Sequence, residues 1–301
     1  MTFVDLRFLG MQRVIGTAVL DGPSGLTLVD PGPTSCLHAL ESGLADLGRR
    51  LEEVKTLLLT HVHLDHAGAT GTLLHRLPQA VVYVHERGAP HMIDPAKLLS
   101  SASRLYGPNM DRFWGEFRPV PADRLRVLTG GERLDLAGRT FDVQYTPGHA
   151  SHHVSYLDLT GGVAYVGDTA GIRIVPGYTK APTPPPDIDL EIWEESLQRI
   201  EAWQPTALVL THFGRVDDVT GHLRSFREVL ARQAALVRET LASDGTDEER
   251  IRRFVEDMRA DAERRLSPED AASTEAASAF DQLWLGLARY WRKKAQREVQ
   301  N

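Results

Sequence analysis

The chain has 301 residues, of which 42% are hydrophobic and 25% charged. This composition is typical of a globular protein with a large core and excludes a disordered or fibrous chain. The formal net charge of −7 argues against a polyanion such as nucleic acid as the main partner. The single cysteine, Cys36, excludes an intramolecular disulfide and a thiolate metal cage.

No segment has the pattern of an export signal or a membrane helix. Asp5, Arg7 and Arg13 interrupt the N-terminal segment where a signal peptide would be apolar. No uncharged apolar stretch approaches the roughly 20 residues of a spanning helix. We therefore expect a soluble, cytoplasmic protein that does not act at a membrane.

Up to residue 85, short apolar runs typical of strands alternate with helical patterns. Strands are predicted at residues 3–9, 13–20, 26–30, 54–60 and 80–85. Helices are predicted at residues 34–47 and about 67–77. The run at 54–60 is apolar almost throughout, as expected for a strand that is covered on both faces.

Residues 87–118 form a predicted helical insertion that is rich in aromatic side chains. Strands follow at residues 139–145, 154–159, 163–167 and 206–211. Between the last two lie a proline-rich loop at 176–186 and a helix that starts near Asp187 or Asp189. The insertion, the loop and part of the C-terminal helices are candidates for a substrate pocket, and the aromatic side chains indicate either an apolar substrate portion or core packing.

The chain after His212 is predicted to be helical. One helix covers residues 225–241, and two more begin with capping-box spacing, at Thr246 with Glu249 and at Ser267 with Asp270. The last helix carries an apolar stripe, which indicates core packing or, alternatively, a homodimer or pocket surface: Phe280, Leu283, Trp284, Leu287 and Trp291. We divide the chain into residues 1–215 and a C-terminal helical region at 216–301.

The stretch THVHLDHAG, residues 60–68, places three histidines and an aspartate directly after the apolar run. In an extended chain His61 and His63 project to the same side. Asp65 and His66 lie where the chain turns into a helix, so they can serve a second ion. This density of metal-binding residue types is a specific signal for a metal site.

Three further polar residues follow other predicted strands. His149 follows the strand at 139–145, Asp168 follows the strand at 163–167, and His212 follows the strand at 206–211. Histidine and carboxylate at several strand ends are expected of a site built on one edge of a sheet. Such nitrogen and oxygen ligands suit zinc, manganese or iron.

With these residues the chain resembles the metallo-β-lactamase superfamily, whose signature is HxHxDH followed by isolated His, Asp and His at strand ends. The motifs LVDPG, THVHLDHAG, YTPGHASHH, YVGDT and LTHFG occur in the order of that family between residues 26 and 214. The resemblance implies a mixed α/β (α+β) fold, an αββα sandwich with a C-terminal helical extension. It also implies two divalent metal ions, for which zinc is favoured and manganese or iron would serve.

The resemblance assigns each ligand to one of the two ions. The first ion is held by His61, His63 and His149, and the second by Asp65, His66 and His212. Asp168 bridges the two ions, and Asp30 in LVDPG lies close behind the ligands. Asp65 and Asp168 are the expected catalytic residues, with Asp65 passing a proton to the leaving group.

Two bound divalent ions can share a hydroxide at neutral pH and stabilise the charge that develops on a substrate oxygen. We therefore expect a dinuclear hydrolase that uses a metal-bridging hydroxide on a small ester, thioester or lactone. Asp168 argues against a true β-lactamase, which carries cysteine or serine at that position. The glycine-cysteine-glycine-arginine element of glyoxalase II is missing after GDT.

Other functions remain open. The alternative is a phosphodiesterase of the same fold, and less favoured are a nuclease, an iron-dependent oxidoreductase and a non-catalytic metal-dependent binding module. The remaining histidines receive weaker assignments. His153 supports a ligand or has a structural role, and His152 is exposed or bonded locally. His85, His91 and His222 are not individually expected in the pocket.

Overall fold

Two six-stranded sheets form the centre of the computed structural model, which describes residues 2–136 and 138–300. Strands β1 to β6 of the first sheet are Thr2–Asp5, Gly16–Leu20, Leu26–Val29, Val54–Leu58, Val81–His85 and Leu125–Leu128. They lie side by side in their chain order. From β3 to β6 the neighbouring strands are parallel, so their carboxyl ends lie on the same edge.

The second sheet is formed by later strands of the chain. Strands β7 to β10 are Arg133–Leu136, Arg139–Tyr145, Val154–Asp158 and Val163–Tyr165. A small separate sheet pairs β11, Ile172–Val175, with β12, Tyr178–Lys180. Strands β13, Ala207–Leu210, and β14, Gly214–Val216, complete the second sheet.

The order of strands across the second sheet is β14-β13-β10-β9-β8-β7. Strand β10 runs parallel to β13, whereas β9 is antiparallel to both β8 and β10. Strands β8, β10 and β13 therefore end on one edge.

Alternation of side chains along the strands creates three apolar layers. In β4, Leu57 faces the outer layer and Leu58 faces the opposite sheet. In β13, Leu208 faces outward and Val209 faces inward. Because successive strand side chains point to opposite faces, both faces of each sheet are buried, and helices cover the outer ones. The result is the expected αββα arrangement.

Eleven α-helices are present in the described residues. Helices α1 to α6 are Leu37–Asp46, Leu64–Ala67, Thr70–Arg76, Ala89–Ile93, Ala96–Tyr106 and Met110–Trp114. Helices α7 to α11 are Leu190–Ala202, Val219–Ala242, Asp247–Arg265, Pro268–Ala277 and Phe280–Gln300. No helix among the described residues is long and apolar enough to cross a membrane.

The C-terminal helices pack on the second sheet. Phe226 of α8 and Trp284 of α11 belong to the same apolar cluster as Leu208 of β13. The stripe on α11 is therefore core as far as Leu287, and only Trp291 is partly buried. The proposed boundary at residue 215 divides chain segments that share this core, and the division into two regions stays a prediction.

Several elements differ from the sequence prediction. The predicted strand at 3–9 ends at Asp5, because Phe8–Gly10 forms a 3-10 turn with Arg7 and Leu9 in left-handed conformations. The predicted helix at 225–241 begins earlier, at Val219, where the Asp218 side chain accepts a hydrogen bond from the Gly221 amide. The capping box of Thr246 with Glu249 is present.

Strands β6, β7, β11, β12 and β14 were not predicted. Strand β7 carries charged, exposed residues on a sheet edge, so it lacks the apolar signal of a buried strand. Strand β12 lies inside the segment at 176–186 that was predicted as a proline-rich loop. Both strands are stabilised by a neighbouring strand, which a local pattern does not reveal.

Lys180 of β12 connects the small sheet to the C-terminal helices. Its side chain is fully buried, and its ammonium group donates hydrogen bonds to the carbonyl oxygens of Thr274 and Ser278 at the end of α10. The group also lies 5.2 Å from the centre of the Phe280 ring. Burial lowers the pKa of Lys180 to about 7, although Glu275 opposes this shift.

The lowered pKa of Lys180 predicts that the stability of the fold depends on pH. Its pKa is about 7 in the folded chain, whereas an unperturbed lysine has a pKa of 10.5, so the unfolded chain binds more protons between these values. The free energy of unfolding should therefore rise from pH 7 to pH 9, by at most ~1.4 kcal/mol per pH unit. Denaturant titrations should show a smaller rise in Lys180→Met, and equal slopes in the two proteins would contradict the prediction.

Candidate metal centre

The candidate site lies at the edge where β3, β4, β8, β10 and β13 end. Each strand is followed within a few residues by one part of the predicted set: Asp30, His61, His149, Asp168 and His212. The two sheets bring these strand ends to the same place. All seven predicted ligands therefore converge, although they are spread over about 150 residues of sequence.

The motif at 60–68 divides its side chains by backbone conformation. His63 is extended and precedes the short helix α2, which contains both Asp65 and His66. Val62 is fully buried in the apolar core, so His61 and His63 project away from it. The assignment of the two pairs to different ions stays a prediction, because the donor atoms of His61, His66 and Asp168 also lie within 4.8 Å of one another.

The first group of donors consists of His61, His63 and His149. The Nδ1 atom of His63 lies 3.0 Å from Nε2 of His61 and 3.0 Å from Nε2 of His149. The second group consists of Asp65, His66 and His212, with Oδ2 of Asp65 3.2 Å from Nε2 of His212 and 3.6 Å from Nε2 of His66. Within each group the donor atoms lie within 4.8 Å of one another.

Asp168 lies between the two groups. One carboxylate oxygen, Oδ2, is 3.3 Å from Nε2 of His149. The other, Oδ1, is 3.4 Å from Nε2 of His66 and 3.6 Å from Nε2 of His212. Each oxygen therefore faces a different group, which is the arrangement required of a bridging carboxylate.

The donor set fits divalent cations. Nε2 of His66, Nε2 of His212 and Oδ1 of Asp168 are buried and have no hydrogen-bond partner among the described residues. Leaving such atoms unpaired is costly unless a cation satisfies them. Metal–ligand bonds of about 2 Å also place ligand atoms roughly 3–3.5 Å apart, and the separations given above are 3.0–3.6 Å. The assignment of each side chain to one ion stays a prediction.

The ring nitrogens that face away from the centre are anchored. Nδ1 of His149 lies 2.9 Å from the Pro182 carbonyl oxygen, and Nδ1 of His212 lies close to that of Val14. Nδ1 of His61 lies 3.0 Å from the Thr60 hydroxyl. When these nitrogens donate, Nε2 of each ring keeps its lone pair for a cation and its direction is held.

Asp30 lies behind the centre and is fully buried. Its Oδ2 atom is 2.8 Å from Nδ1 of His66 and accepts hydrogen bonds from the hydroxyls of Thr60 and Thr211, both at 2.7 Å. Its Oδ1 atom accepts the Thr60 amide at 2.8 Å. The expected place of Asp30 behind the ligands agrees with this geometry.

The charges of the centre are set by burial and by neighbours. Burial, together with the His149 imidazole, lowers the pKa of His63 to about 4, and burial lowers the pKa of His61 well below its usual value. Burial disfavours charge on Asp65 as well, but His66 and His212 outweigh it and lower its pKa to about 2. Neutral imidazoles and ionised carboxylates are the forms that bind metal, but burial disfavours charge on His66 while Asp65, Asp168 and Asp30 outweigh it and raise its pKa well above the usual value.

A cavity of about 810 Å³ opens above the centre. Its floor includes His63, Asp65, His149 and Asp168. Its walls come from helices α5 and α6 of the insertion, from parts of α10 and α11, and from four prolines of the proline-rich loop, Pro182, Pro184, Pro185 and Pro186. The expectation that these segments form the pocket agrees with the structure.

The non-ligand histidines occupy different places. His153 is buried against Thr146 and Thr169, as a supporting residue should be. His152 was predicted to be exposed or bonded locally, and this was wrong: it is buried beside the ligands and lines the cavity. The expectation that His91 lies outside the pocket was also wrong, because His91 lines the cavity, whereas His85 stacks on Tyr145 elsewhere. A pattern of histidines along the chain does not show which ring points into a cavity formed by distant helices.

A family model and several known proteins match this chain. The family model described as the metallo-beta-lactamase superfamily matches residues 14–212. The metallo-beta-lactamase fold-containing protein ST1585 of Sulfurisphaera tokodaii is 31% identical over 169 residues, covering 55% of this chain and 63% of that protein. A hydroxyacylglutathione hydrolase of Aeromonas hydrophila is 31% identical over 142 residues, covering 47% of this chain and 41% of the relative.

Solved structures show the same fold along most of the chain. The archaeal protein ST1585 from Sulfolobus tokodaii has a TM-score of 0.67 at 21% identity, covering 95% of this chain and 97% of its own. TTHA1429 from Thermus thermophilus has a TM-score of 0.67 at 24% identity, covering 93% and 89%. The family match spans about two thirds of the chain and includes all seven residues of the centre. The chain therefore belongs to the metallo-beta-lactamase superfamily.

Proposed function

We propose that the protein is a dinuclear metal-dependent hydrolase that acts on a small ester, thioester or lactone. The observation that carries the proposal is the position of Asp168, whose two oxygens face two separate donor groups on the floor of a cavity. We further propose that zinc is the metal, that the protein is cytoplasmic, and that its partner is a small molecule and not nucleic acid. A homodimer stays a prediction.

Each residue of the centre has a proposed task. His61, His63 and His149 hold one ion, and Asp65, His66 and His212 hold the other. When bound, the two ions would supply a nucleophilic hydroxide at neutral pH and polarise the scissile carbonyl. The Asp65 carboxylate is 18% exposed and lines the cavity, so it can pass a proton to the leaving group.

The cavity supports a substrate with an apolar portion. Five side chains from α5 and α6 line one wall: Leu98, Ala102, Leu105, Phe113 and Trp114. Tyr106 packs edge-on against Trp114, with ring centres 5.0 Å apart. We infer that the acyl group lies against this wall, because burial of its methylene groups there is favourable.

The relatives support a thioester as one candidate. Several of them are named hydroxyacylglutathione hydrolase, and each matches about half of this chain. The chain spans only 41–63% of the length of these relatives, and it lacks the glycine-cysteine-glycine-arginine element of glyoxalase II. The relatives therefore support cleavage of an acyl bond more strongly than they support glutathione as the leaving group.

A substrate panel tests the proposed reaction. Protein loaded with zinc, manganese or iron should bind two ions per chain by mass spectrometry and should hydrolyse members of an ester, thioester and lactone series. Faster turnover of bis-p-nitrophenyl phosphate would favour the phosphodiesterase alternative. Tight ligand binding without turnover of any substrate would support a binding module and overturn the hydrolase.

Asp168→Ala tests the bridging carboxylate. The variant loses the two oxygens that face the two donor groups, so we expect one ion per chain in place of two and a decrease in kcat of at least about 100-fold. Asp142→Ala, which removes a partly exposed carboxylate on β8, serves as the control and should retain two ions per chain and the kcat of the parent protein. Two ions and a normal rate in Asp168→Ala would contradict the bridging role.

Leu105→Trp tests the apolar wall. In the parent protein kcat/KM should rise with acyl length by up to about fourfold per methylene group until the wall is filled. The added indole should decrease kcat/KM for octanoyl esters by more than about tenfold while acetyl esters react nearly as before. Ser100→Trp places the same side chain on an exposed position of α5 and should leave the series unchanged. A flat series in the parent protein would contradict the apolar site but not the hydrolase.

A further inference from the structure

His152 is a buried histidine of the cavity that belongs to neither donor group. Its ring centre lies 5.6 Å from that of His63 and 6.0 Å from that of His61, on the side of the first group. The residue is only 7% exposed and it lines the cavity. It is therefore within reach of a substrate whose carbonyl group lies over the first group.

The backbone determines which nitrogen of His152 carries the hydrogen. Nδ1 lies 3.4 Å from the Val62 amide nitrogen and accepts its hydrogen bond. An amide N–H only donates, so Nδ1 must hold a lone pair, and the hydrogen of the neutral ring lies on Nε2. Because Val62 lies between His61 and His63, this hydrogen bond also aligns the ring with the ligands.

The free edge of His152 faces the cavity. Nε2 makes no hydrogen bond to the described residues. It is also not one of the fully buried side-chain atoms that lack a partner, so part of its surface is accessible. The remaining exposed surface of this buried ring therefore includes Nε2 and opens onto the cavity that the ring lines. A donor group held in this way is available to a bound molecule.

We propose that His152 is a catalytic residue whose Nε2–H donates a hydrogen bond to the substrate oxygen that becomes negative during hydrolysis. The inference rests on the proposed function. When hydroxide adds to the carbonyl carbon, the π electrons of the C=O bond move to its oxygen, and the hydrogen bond strengthens as that charge grows. His152 keeps its proton and forms no covalent bond. Such preorganised donors contribute most where water is excluded.

Two variants of His152 separate hydrogen bonding from packing. In metal-loaded His152→Leu we expect two ions per chain, an unchanged melting temperature within a few degrees, and a kcat lower by about 10- to 1000-fold with KM changed less than about threefold. His152→Gln keeps an N–H donor, so its kcat should be at least tenfold higher than that of His152→Leu. His222→Gln changes another buried histidine, one that does not line the cavity, and should retain kcat within about twofold.

A second measurement does not depend on turnover. An alkyl phosphonate carries negative oxygens on a tetrahedral centre, like the addition intermediate of an ester. We expect calorimetry to show about tenfold or more weaker binding of this phosphonate to metal-loaded His152→Leu than to the parent protein. If the parent protein hydrolyses nothing, the proposed function fails, and the phosphonate affinities alone decide the role of His152.

Three results would overturn the role of His152. The first is a kcat and a phosphonate affinity in His152→Leu that equal those of the parent protein. The second is a loss of metal that accounts for the decrease in rate, which would make His152 a structural residue. The third is an equal decrease in the Leu and Gln variants with both ions retained, because the hydrogen-bond donor would then be irrelevant.

Discussion

The geometry of the centre depends on the buried carboxylate of Asp30. Removing an ionised carboxylate from water costs several kcal/mol unless donors satisfy it, and its donors are the Thr60 amide, two threonine hydroxyls and His66. Thr60 follows β4 of the first sheet and Thr211 follows β13 of the second. Asp30 is therefore satisfied only when the edges of both sheets meet, and that meeting also brings the ligands of the two sheets together.

The metal centre carries charged side chains, whereas one wall of the cavity above it is apolar. Asp65 and Asp168 keep their negative charges in a buried position because histidines surround them, and Asp168 faces both donor groups. The cavity above adds an apolar wall from α5 and α6. The proposed substrate, which combines a polar, cleavable bond with an apolar acyl group, matches both parts. His152 lies beside the first group, where its proposed hydrogen bond would reach the substrate oxygen.

The sequence indicated seven candidate ligands because metal-binding residue types directly follow strands with a strong apolar signal, and the structure brings these side chains together. Strands 139–145 and 54–60 were recognised for this reason, and the two pairs in THVHLDHAG were separated by the turn into α2. The weaker elements escaped recognition. Strand β7 lies on an exposed edge, and β12 lies within a proline-rich segment, so neither has the periodicity of a buried strand.

By itself, the sequence indicated the αββα class and seven candidate ligands, because these depend on local patterns of apolar runs and strand ends, whereas the division of the ligands between two ions stays a prediction. Only the tertiary structure decided which other residues meet them. The place of His152 follows from a contact with Val62, 90 residues away in sequence. The cavity likewise combines an insertion, a loop and C-terminal helices. The local sequence of each segment does not indicate that they pack around one cavity. Long-range packing, which leaves no periodic pattern in the chain, is the physical reason.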